Sequence, residues 1–107
     1  MKTHAEIDRR SLALAQAIAA KIDADPERRG LQRARQTCAR WFAQDSLPAI
    51  AEWMEILGDD WDRVCAVLLD EGETGQRLRQ SNPFCGVLSP QERWAIYRRF
   101  SRDRTAA

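Results

Sequence analysis

Most of the residues that carry chemistry are scarce in this chain. One histidine, one tyrosine and three cysteines stand among 107 residues. His4 falls in the first turn of the first expected helix, so a histidine-based acid–base or nucleophile system has nothing else to draw on. Cys38, Cys65 and Cys85 are odd in number and widely spaced, with no Cys-x-x-Cys pair, which argues against a disulfide framework or a zinc site. There is no Walker loop, Gly-x-Gly-x-x-Gly, His-Glu-x-x-His or Gly-x-Ser-x-Gly. The expectation is a protein that is not an enzyme and takes no cofactor and no metal.

Long hydrophobic runs are also lacking. The longest, Leu12 to Ala20, is rich in alanine, broken by Gln16 and far short of the ~20 residues of a membrane span. Glu6 and Asp8 near the start are unlike the purely basic opening of a secretory signal, so the protein is expected to be cytoplasmic, with no membrane partner. Lysine is nearly absent, since all but Lys2 and Lys21 of the 17 basic residues are arginine. That suits bidentate ion pairing and equally reflects the base composition of coding DNA.

What is present is 44% hydrophobic and 31% charged residues, spread along the chain as in a soluble globular domain. One domain is expected over residues 1–107, with 101–107 a frayed tail, folding alone or as a homodimer. Apolar residues recur at helical spacing, which predicts an all-α, compact bundle of five or six short helices. Thr3 and Glu6 suit a capping box for a helix over His4 to Asp23. Asp25-Pro26 suits a cap and first position of a second helix, although Gly30 weakens that turn and moves the start toward Leu31. Pro48 opens a third helix that Gly58 ends, and Asp60 caps a fourth over Trp61 to Leu69. A short fifth spans Glu71 to Arg79, anchored by Leu78. Ser89-Pro90-Gln91-Glu92 combines an N-cap serine, proline at the first position and a reciprocal glutamate, opening a sixth helix to about Phe100. Trp41, Trp53, Trp61 and Trp94 are expected in the core, with Tyr97 also packed inward and Ile96 and Phe100 as further inward candidates of the sixth helix.

Charge is sorted along the chain. Residues 1–44 carry +4, residues 45–73 carry −8 and residues 74–107 carry +5, so the net charge of +1 hides an acidic middle between basic arms. Such asymmetry bears on partners and association. Asp59, Asp60 and Asp62 are the densest acids, but they lack the spacing of a calcium loop, and a helix start accounts for them. The two helices flanking Gly58 superficially match a helix-turn-helix, yet the second offers only Arg63 to phosphates. Arg93, Arg98, Arg99, Arg102 and Arg104 are better candidates for nucleic-acid contact, unless they complement the helix dipole and the acidic block. Phe84 and Val87 lie in the irregular 82–88 segment, which either folds back over the core, with Leu88 against the sixth helix, or presents an apolar anchor.

The run from Arg77 through Asn82-Pro83-Phe84-Cys85-Gly86-Val87-Leu88 and Ser89-Pro90-Gln91-Glu92-Arg93-Trp94 to Phe100 resembles small uncharacterised bacterial proteins, all-helical and associated with toxin–antitoxin or mobile-element neighbourhoods. The resemblance covers about a quarter of the chain and implies an interaction protein, with no residue role to transfer. The expected function is therefore a non-catalytic binding module, antitoxin-like, whose protein partner has a basic surface. Its expected contacts are Asp59, Asp60, Trp61, Phe84 and Val87. The alternative is a nucleic-acid-binding regulator that uses the basic arms.

Overall fold

Ile18 and Ile22, one turn apart with Ala15 and Ala19 beside them, bury a single face of the first helix, α1 (His4–Asp23). The computed structural model describes residues 4–106, and side chains over 5–100. It continues with α2 (Arg29–Gln44), α3 (Pro48–Leu57), α4 (Trp61–Leu68), α5 (Glu73–Arg79) and α6 (Pro90–Ala106). The fold is the expected all-α bundle, with no strand among the described residues. Thr3, the proposed cap of α1, lies outside them.

α1 is the hub, touching α2, α4, α5 and α6. The most extensive helix pair is α2 with α3. Cys38 Sγ donates to Ile50 O (3.6 Å) and Arg35 Nε to Leu57 O (2.7 Å), so going back along α2 means going forward along α3, and the two form an antiparallel hairpin. Trp53 ties the layers together. It is fully buried, its Nε1 donates to Leu78 O at the end of α5 (2.8 Å), and its ring meets the edge of Phe84 at 5.8 Å and 77°.

The start of α2 differs from the expected Asp25-Pro26. Residues 24–28 form a turn in which Asp25 accepts from the Glu27 and Arg29 amides (3.1 and 3.0 Å), and the helix begins only at Arg29. Arg28 takes a left-handed conformation (φ 51°, ψ 42°) and sends its Nη1 back to the Ile22 and Asp23 carbonyls, both at 2.9 Å. A left-handed arginine costs about 1–2 kcal/mol, which these charge-assisted bonds to the open end of α1 offset. Gly30 has a packing reason as well, because a Cβ there would come within 2.7 Å of Ile22 Cγ1.

Trp94 is not in the core; it is 63% exposed. The buried face of α6 belongs to Ile96, with Phe100 a turn later, and Trp94 lies two residues before Ile96, about 200° around the helix. Tyr97 is half-buried between them, edge-on to Trp94 at 6.2 Å and beneath the Arg10 guanidinium at 5.1 Å. Trp41 is half-buried, so Trp53 and Trp61 are the core tryptophans. α6 also runs beyond the expected Phe100 to Ala106.

The capping box of α6 forms as its sequence predicts. Ser89 Oγ accepts from the Glu92 amide (3.1 Å), and Glu92 Oε1 accepts from the Ser89 amide (2.7 Å) and from Lys21 Nζ of α1 (2.7 Å). The Lys21 ammonium chiefly, and then the Ser89 amide, push the Glu92 carboxyl down from its ordinary 4.5 to about 2. A depressed carboxyl stabilises the fold fully above its unfolded value, and that stabilisation is lost as pH falls from about 4.5 toward 2. Glu92→Gln is expected to flatten the fall of Tm between about pH 5 and 2. An unchanged slope, followed by circular dichroism, would remove this pair from the acid response.

Candidate interaction surfaces

Of the five residues expected to meet a protein partner, the structure leaves two exposed. Asp59 accepts from Arg63 Nη1 (2.7 Å) and from the Asp60 amide (2.8 Å), and the Arg63 guanidinium lowers its carboxyl below the ordinary range. Asp60 caps α4 through the Arg63 amide (3.0 Å). Both are on the surface and both already serve the α3–α4 junction.

Trp61, Phe84 and Val87 are corrections, because all three are buried and none is an anchor on the surface. Trp61 Nε1 donates to Asp23 Oδ1 (2.6 Å), and the Arg28 guanidinium lies 6.0 Å from its ring, so the side chain locks α4 to the end of α1. The 82–88 segment closes the core. Asn82 Oδ1 accepts from the Phe84 amide (2.6 Å), the Val87 amide donates to Phe84 O (3.2 Å), and Gly86 supplies the one left-handed glycine of the turn (φ 86°). Apolar burial of Phe84, Val87 and Leu88 outweighs the irregular backbone it requires.

The charge blocks stay largely apart. In the acidic block, Glu52 pairs with Arg77 of α5 (2.8 Å), while Asp59 pairs with Arg63 inside the block. Arg35 of the first basic arm reaches the acidic segment only at the Leu57 and Asp59 carbonyls. Arg93, Arg98 and Arg99 are exposed and make no ion pair with a described residue. The side chains of Arg102 and Arg104 lie outside the described residues. Trp94 and Arg98, one turn apart, share the outward side of α6.

A second surface was not foreseen. Phe42, Leu47 and Met54 are 36%, 52% and 37% exposed. With Cys38 opposite Ile50, the next turn of α2 brings Phe42 toward Leu47, and Leu47 and Met54 are seven residues, two turns, apart. These three side chains therefore follow the outer seam of the hairpin, and Ala39, Ala43, Ala51, Asp45 and Glu55 are exposed on the same hairpin. The sequence signal was present as apolar stripes in α2 and α3 wider than one core-facing side needs, but periodicity alone assigns all of a stripe to the core.

No helix among the described residues is long and apolar enough to cross a membrane. The chain matches no protein-family model, no curated protein and no solved structure.

Proposed function

We propose that this protein is a non-catalytic binding module of the bacterial cytoplasm that docks a partner protein on the outer seam of the α2–α3 hairpin. The observation that carries this reading is the strip of Phe42, Leu47 and Met54, three large apolar side chains exposed along one seam of a hairpin that also exposes Asp45 and Glu55. The partner that fits is an apolar ridge flanked by lysine or arginine. Its apolar part supplies affinity, and its charge is steered by the −8 segment that contains α3 and α4. An antitoxin-like neutraliser that covers a partner's active site is the specific form of this role.

A second reading rests on α6, where Trp94 offers an exposed ring one turn from Arg98, which makes no ion pair with a described residue, a combination suited to stacking on a base while contacting phosphates. One experiment separates the two. Tagged protein is used to capture material from its own host lysate, with and without nuclease, alongside a Phe42→Glu/Met54→Glu variant and an Arg98→Glu/Arg99→Glu variant whose Tm values match the parent. Docking on the hairpin requires a stoichiometric protein that survives nuclease, is lost with the first variant and is kept with the second. Nuclease-sensitive material lost only with the second variant, and weakening steeply with salt, overturns the hairpin reading in favour of nucleic acid. A homodimer through the seam would appear as a mass that halves in the first variant.

A further inference from the structure

Where α1, α5 and α6 meet the 82–88 segment, they border an open, cleft-like cavity of about 230 Å³. Its floor is apolar, made by the buried side chains of Ile18, Phe84 and Leu88. Two arginines, Arg79 and Arg93, line it together with Asn82 and Tyr97, and no acidic residue does. A third guanidinium lies over the rim, since a Cβ on Gly86 would come within 2.8 Å of Arg33 Nη2.

Arg79 is the unexplained member of this group. It is 6% exposed, its Nη1 donates to the Leu68 and Asp70 carbonyls (3.0 and 2.6 Å), and its Nε is buried with no hydrogen-bond partner. The carbonyls at the end of α4 offset part of its charge, but a buried guanidinium calls for an anion. Asp70 does not supply one, because its carboxylate is turned to the Gly72 and Gly75 amides (3.1 and 3.0 Å). Arg79 also lines a second cleft with Asp8 and Glu71, and neither forms an ion pair or hydrogen bond with it. Nothing in the sequence marked this residue, which reads as one more arginine on a short polar helix.

We infer that this cavity binds a small organic carboxylate. The carboxylate sits between Arg79 and Arg93, whose planar donors match it, and an apolar or aromatic body lies on Ile18, Phe84 and Leu88. At about 230 Å³ the cavity is smaller than the ~300–1,000 Å³ typical of sites for drug-sized molecules, which restricts the ligand to a body of roughly one ring. Inorganic phosphate satisfies the arginines and leaves the apolar floor wet, so it is the weaker ligand.

The test is a titration of the full chain, followed by amide and arginine Nε–H NMR signals, with phenylacetate, benzyl alcohol and inorganic phosphate as probes. Phenylacetate is expected to give saturable shifts at Gly86, Leu88 and Arg79 Nε by about 10 mM, and benzyl alcohol none. Arg79→Lys also disturbs the hold on α4, so the exposed Arg93 carries the mutational arm, and Arg93→Gln is expected to weaken phenylacetate about tenfold. No saturation with phenylacetate, equal binding of benzyl alcohol, phosphate binding as tightly as phenylacetate, or unchanged affinity in Arg93→Gln would each overturn the inference.

Discussion

Trp53→Ala is expected to cost about 4 kcal/mol, a large part of the roughly 5–15 kcal/mol that stabilises a domain of this size, and to lower Tm by about 20 °C. Trp53 is fully buried, so truncation removes a large apolar area and leaves a cavity among side chains that belong to three different parts of the chain. The ring's edge contact with Phe84 goes, and with it the packing that holds the 82–88 segment over the core. The hydrogen bond from Nε1 to Leu78 O is lost too, although that carbonyl keeps the Ser81 amide (3.1 Å) and is not left bare. Trp53→Phe separates these contributions. It keeps a ring for Phe84 and loses the hydrogen bond and part of the volume, for an expected cost of about 2 kcal/mol. Urea unfolding of both variants measures the difference, and a loss below about 1 kcal/mol for Trp53→Ala would mean that this residue does not join the layers.

The contrast between Trp53 and Trp94 shows how far the sequence could be read. Both sit in helical patterns rich in apolar residues, and both were expected inside. Spacing places Ile50, Trp53, Ile56 and Leu57 on one side of α3, whereas Trp94 stands opposite Ile96, a distinction that required choosing between Trp94 and Ile96 as the inward residue. Local chemistry was legible wherever the partners are close in sequence. The Ser89–Glu92 box and the Asp60 cap formed as expected, since each needs only a residue three positions away. Long-range choices were not legible. The burial of Phe84 depends on where Trp53 lies, that of Trp61 on Asp23, and the exposed seam of Phe42, Leu47 and Met54 on how α2 meets α3. The charge blocks were visible in the sequence, but whether they neutralise each other depends on that same packing, and Arg77–Glu52 is the one ion pair that links a basic arm to an acid of the middle block among the described residues.

Gly75→Ala is expected to destabilise by about 3 kcal/mol and to lower Tm by about 15 °C, a large effect for a single methyl group. The reason is space rather than backbone conformation. A Cβ on Gly75 would overlap the Asp70 carbonyl and approach Asp70 Cβ to 2.6 Å, and the carbonyl is backbone that cannot swing aside as a side-chain tip does. Asp70 is itself fixed at that spot, with its carboxylate on the Gly72 and Gly75 amides and its carbonyl accepting from Arg79 Nη1. The clash therefore pushes α5 off α4 and pulls Arg79 from its two carbonyls. The Arg79 Nε–H resonance should move even at temperatures where the variant is folded. Gly58→Ala is the matching control: its Cβ would sit 3.4 Å from Glu55 O in ordinary contact, φ is −74°, and the site is exposed. That substitution is expected to be neutral or to add about 0.5 kcal/mol by restricting the unfolded chain. If Gly75→Ala proved as harmless as Gly58→Ala, the close approach of α5 to Asp70 would not be what positions Arg79.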